Sequence, residues 1–148
     1  MNLLVLPTRM GALASNASAA LRLLSNTKRY DEMVLKGLQQ AKQFCEVLNT
    51  GNTIKAGADH FSADGYRARR FVDLVCKLPN GEELAKRSTT VTTDLETLIS
   101  MARPGDAASE EALRVSQQLR NYFSEFSRYL PYYENMRRRM AAEMPRNA

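Results

Sequence analysis

The stretch Ser109–Leu130 limits the folds open to this chain more than any other. Ala112, Val115, Leu119, Tyr122, Phe126 and Tyr129 recur at steps of three and four, which lays them along one side of an α-helix. Leu113, Phe123 and Leu130 widen the stripe, while Glu110, Arg114, Gln117, Arg120, Glu125 and Arg128 stay largely off it. So broad an apolar face belongs to a helix packed on other helices. Ser109 is placed to cap it, with Glu110 and Glu111 at the positive pole of the helix dipole.

The partners of this helix lie upstream. Val34, Leu38, Ala41, Cys45 and Leu48 predict a helix over about 31–48, with Met33, Leu35 and Phe44 broadening its face. Asn49, Thr50, Gly51 and Asn52 are expected to end it, Gly51 taking a left-handed cap. A second helix follows from Ser62 as cap to Leu78, its start left open, with Ala68, Phe71 or Val72, Val75 and Leu78 inside. Pro79, Asn80 and Gly81 form a turn, and Asn80 with Glu83 has capping-box spacing. Leu84, Ser88, Val91, Leu95, Leu98 and Ala102 then share one side of a third helix. Four threonines in its interior favour a strand by local propensity, but the seven-residue spacing runs through them and predicts helix. Pro104 and Gly105 break the chain before the helix at Ser109. Short connections favour antiparallel neighbours, so the expected architecture is all-α: an up-down four-helix bundle over residues 31–148.

Two segments flank the four helices. Residues 1–30 contain no Asp or Glu and carry Arg9, Arg22, Lys28 and Arg29 among Ala, Ser, Leu and Asn, like an organelle-targeting leader. Pro7 and Gly11 argue against a helix at their start, so this segment is expected to be a leader or an extended arm lying on a partner, with a short helix at most over Ala17–Leu24. Pro131 opens a short C-terminal helix that Pro145 stops.

Chemistry is sparse. His60 stands alone, and nothing supplies the three or four convergent ligands of a metal site. No phosphate loop, nucleophile elbow or HExxH occurs, so neither catalysis nor a cofactor is expected. Cys45 and Cys76 read as free thiols on apolar faces rather than as a disulfide. No apolar run approaches the ~18 residues of a membrane span. The net charge of +5 favours an anionic neighbour, whether nucleic acid, lipid head or the acidic face of a protein. Arg67, Arg69 and Arg70 give a general positive surface rather than a phosphate pocket. Tyr132 and Tyr133, followed by Arg137 and Arg138, have the composition of a protein-docking end. The candidate partner-binding residues are therefore Arg67, Arg70, Tyr132, Tyr133, Arg137 and Arg138.

The run Thr93–Ser100, the proline-bearing turn, the helix with Leu119 and Phe123, and then Tyr132, Tyr133, Glu134 and Asn135 resemble the C-terminal half of PsbQ-like proteins. That resemblance implies a four-helix bundle of the thylakoid lumen, attached to photosystem II or to the chloroplast NADH-dehydrogenase-like complex. Its role there is structural, steadying neighbouring subunits and helping to retain calcium and chloride at the oxygen-evolving side. The expectation is a non-catalytic accessory subunit of a large organellar membrane complex, in the thylakoid if the resemblance holds and in a mitochondrion otherwise. The alternative is a small basic RNA-binding or ribosome-associated protein.

Overall fold

The computed structural model describes residues 6–57 and 62–129, together with Asn135, Arg138, Arg139, Ala141 and Ala142. The helices run in order α1 (Leu6–Thr27), α2 (Glu32–Lys55), α3 (Ala63–Val75), α4 (Gly81–Lys86), α5 (Ser88–Met101) and α6 (Glu110–Arg128), and the described residues beyond position 134 are helical too. Among the described residues the structure is all-helical, with one isolated β-bridge between Arg29 and Ala107.

The expected N-terminal arm is corrected first. Residues 6–27 form a core helix, with Met10, Leu13, Ala14, Ala17, Leu21 and Leu24 buried. Pro7 lies in the first turn, where its missing N–H would have had no helical partner. Gly11 costs about 1 kcal/mol relative to alanine. Burying even one leucine returns about 1.5–3 kcal/mol, so the helix survives it. α1 packs on α2 on one side and on α6 on the other.

Side-chain contacts fix the directions of the packed pairs. Gly37 of α2 abuts Ala20 of α1, and Ser18 of α1 hydrogen-bonds Ser124 of α6 at 2.7 Å. Asn49 and Asn52 of α2 meet Ser88 and Thr92 of α5. Each pair runs antiparallel, as do α5 and α6. α3 does not follow that pattern. Gly51 abuts Ala68 and Val72, while Lys55 reaches Asp73, so α3 runs the same way as the end of α2. A short connection therefore did not produce an antiparallel neighbour here, and α1 occupies the place beside α2 that the sequence pattern assigned to the next helix.

The core centres on aromatic rings. Phe44 of α2 meets Phe123 edge-on with centroids 5.7 Å apart, and Phe126 at 4.8 Å. Tyr122 lies 5.3 Å from both of those rings and donates its hydroxyl to the Leu84 carbonyl at 2.8 Å. The stripe predicted for α6 is the buried one: Ala112, Leu119, Tyr122, Phe123 and Phe126 are inside, and Ser109 accepts from the Ala112 N–H. Val115 and Tyr129 are only half-buried.

Three local expectations change. The first concerns the end of α2. Asn49–Asn52 is helix, not a terminus, and α2 continues to Lys55 with Gly51 buried inside it. The two asparagines point inward. Asn49 accepts from the Ser88 hydroxyl at 2.7 Å and donates to Thr92 at 2.9 Å. Asn52 donates to the Ala85 carbonyl at 2.8 Å. The second concerns the third predicted helix, which breaks at Arg87 into α4 and α5. The carbonyls of Leu84 and Ala85, next to the break, accept from Tyr122 and Asn52, so the bend leaves them satisfied. The third concerns Asn80, which forms no side-chain cap. It takes the left-handed conformation at φ 57° and points toward Glu125 at 3.5 Å.

One end of the molecule is clasped by backbone. Tyr30 donates to the Asp106 carbonyl at 2.9 Å and accepts from Gly105 at 2.7 Å. Ala108 donates to the Lys28 carbonyl at 2.8 Å. The α1–α2 turn is thus tied to the α5–α6 turn. The Tyr30 ring is buried and its hydroxyl has no hydrogen-bond partner among the described residues. Burial pushes its pKa above the ordinary tyrosine value.

Candidate interaction surface

The outer seam between α1 and α2 is built from small residues. Ala19 and Ala20 on α1 face Gly37 on α2, and a Cβ at Gly37 would collide with the Ala20 methyl. The two backbones therefore approach closely and leave a shallow groove instead of a ridge. A cavity of about 250 Å³ opens there, bordered by Asn16, Leu23, Met33, Lys36 and Gln40. Met33 stands 67% exposed over it. The sequence pattern counted Met33 toward the inner face. It lies in the first turn, one position off the buried row of Val34, Leu38, Ala41 and Cys45, and so falls outside.

α1 contains no acidic residue, and its outward positions include Arg9 and Arg22. Among the residues that border the groove itself, Lys36 of α2 is the charged one. Beyond Gln40 the seam runs into a second cavity of about 330 Å³ against the start of α3, where Arg9 and Arg67 meet Glu46, Asp64 and Thr50. That end is mixed in charge, whereas the groove under Met33 is lined by Lys36 and otherwise by uncharged side chains.

The candidate residues from the sequence are distributed unevenly. Arg67 lines the second cavity and pairs with Asp64 at 2.9 Å. Arg70 pairs with Asp73 at 3.4 Å, and Asp73 also takes Lys55 at 3.3 Å. Two of the three clustered arginines are therefore matched by carboxylates three residues away on their own helix, which reduces the positive field expected there. Arg138 is helical and exposed. Tyr132, Tyr133, Arg137 and His60 lie outside the described residues. Ser62 caps α3 by accepting from Gly65 at 3.0 Å, which settles the start of that helix.

The two cysteines are free thiols in different settings. Cys45 is fully buried, and burial pushes its thiol up to about 12. Cys76 is half-buried at the end of α3. Among the described residues, no three His, Cys, Asp or Glu side chains group as a metal site, and no helix is long and apolar enough to cross a membrane. Set against protein-family models, curated proteins and solved structures, the chain matches none.

Proposed function

We propose that this protein is a non-catalytic helical accessory subunit that docks onto a large membrane complex of an organelle. Read this way, α1, α2, α5 and α6 are an up-down four-helix bundle, with α3 and α4 as an insertion beside α2. The observation that carries the reading is Met33, 67% exposed above a groove whose α1 wall lacks any acid. A large exposed apolar side chain beside a groove whose charged lining residue is Lys36 has the composition of a protein-docking spot. The resemblance to PsbQ-like proteins supports a thylakoid-lumen site on photosystem II as the specific form of the proposal.

Salt tests the proposal, because raising ionic strength from 0.1 to 1 M shortens the screening length from about 10 to 3 Å. Wild-type protein is expected to sediment with organelle membranes at low salt and to leave them at high salt. Met33→Glu places a carboxylate in the first turn of α2, where the dipole favours it, so folding is preserved. That variant is expected in the soluble fraction already at low salt. A monodisperse monomer in gently solubilised organelles contradicts the proposal. Tight binding to single-stranded RNA with a steep salt slope replaces it by the nucleic-acid reading.

A further inference from the structure

Three side chains meet where α2 ends beside the end of α3. The Lys55 ammonium donates to the Cys76 sulfur at 3.6 Å and lies 3.3 Å from an Asp73 carboxylate oxygen. The other Asp73 oxygen holds Arg70 at 3.4 Å. Asp73 thus anchors the lysine head beside the sulfur. Burial alone would lower the lysine pKa, but the neighbouring sulfur and carboxylate outweigh it, and Lys55 stays protonated above its ordinary range. Cys76 also lines an open polar cavity of about 380 Å³, with Asn80, Gly81, Glu82, Glu83 and Lys86 on its wall. A small polar oxidant has room to reach it. Cys45 has none of this, being fully buried. Reactive cysteines sit partly exposed beside a cation, and buried ones are inert.

We propose that Cys76 is a modification site for hydrogen peroxide or a small hydroperoxide, with Lys55 as the proton donor to the departing oxygen. The thiolate sulfur attacks one peroxide oxygen. The S–O bond forms, the O–O bond breaks, and the electron pair leaves with the second oxygen as hydroxide. Lys55 gives that hydroxide a proton, producing water and a neutral amine that solvent reprotonates. Sulfur is oxidised by two electrons to the sulfenic acid, and the peroxide is reduced by two.

The test uses the full chain, hydrogen peroxide, and a dimedone-type reagent that traps sulfenic acid, with the label located by peptide mass spectrometry. Label is expected on Cys76 and not on Cys45. Lys55→Met is expected to slow peroxide labelling about tenfold or more. Alkylation by iodoacetamide, whose iodide leaves without a proton, is expected to change much less in that variant. Lys55→Arg keeps the charge but does not release a proton, so its peroxide rate is expected to stay near that of Lys55→Met. Circular dichroism of each variant confirms that the helices are intact. The proposal is overturned if Cys45 labels as fast as Cys76, if Lys55→Met leaves the peroxide rate unchanged, or if it slows both reagents equally.

Discussion

Phe44→Ala lowers the stability of the chain by about 3–5 kcal/mol. The ring is fully buried and lies between Phe123 and Phe126, edge-on to each. α2 and α6 sit diagonally, both packed on α1 and α5, so Phe44 spans the space between them. Truncation removes the transfer free energy of the ring and leaves a void that four surrounding helices cannot close. The edge-to-face pairs add about 0.5–1.5 kcal/mol beyond the area term. Urea unfolding followed by circular dichroism checks this: the midpoint falls while the slope stays that of wild type. The exposed Met33→Ala is the control and moves stability by no more than about 0.5 kcal/mol.

Gly51→Ala is destabilising, against its helix propensity. Gly51 lies inside α2, where alanine would ordinarily contribute about 1 kcal/mol. Here the added Cβ would overlap the Ala68 carbonyl and a Val72 methyl of α3. The carbonyl belongs to a helix backbone and cannot rotate away as a side-chain tip does. Forcing α2 and α3 apart costs about 1–3 kcal/mol or more, so the packing term wins. Thr53→Ala, two positions on at an exposed site of α2, gains a few tenths of a kcal/mol from propensity alone. Thermal melts of the two variants are expected to move in opposite directions. A rise in melting temperature for Gly51→Ala contradicts the close α2–α3 contact.

The parts of the fold legible in the sequence are those decided locally. Ser109 and Ser62 are caps in the structure because their hydroxyls accept a first-turn N–H. The α6 stripe is inside because its own spacing makes one broad face. Only Ala17–Leu24 of α1 was legible as a short helix, although Met10, Leu13, Ala17, Leu21 and Leu24 step by three or four. Its inner face is partly alanine, which gives a weak apolar signal while permitting close helix approach. The end of α2 was misplaced because Asn49 and Asn52 resemble turn residues. Their actual role, satisfying Ser88 and the Ala85 carbonyl, depends on a helix more than thirty residues away. The pairing of Arg67 and Arg70 with Asp64 and Asp73 was visible as a spacing of three. The exposure of Met33 was not, because it depends on where α1 packs.

The α1–α2 seam as docking face is tested most directly by a photoreactive amino acid at position 33, irradiated in organelle membranes at low salt. Position 96, exposed on α5, serves as the reference. The account predicts one discrete protein adduct from position 33, absent from position 96 and lost when membranes are salt-washed before irradiation. No adduct from position 33, or the same adducts from both positions, would contradict it.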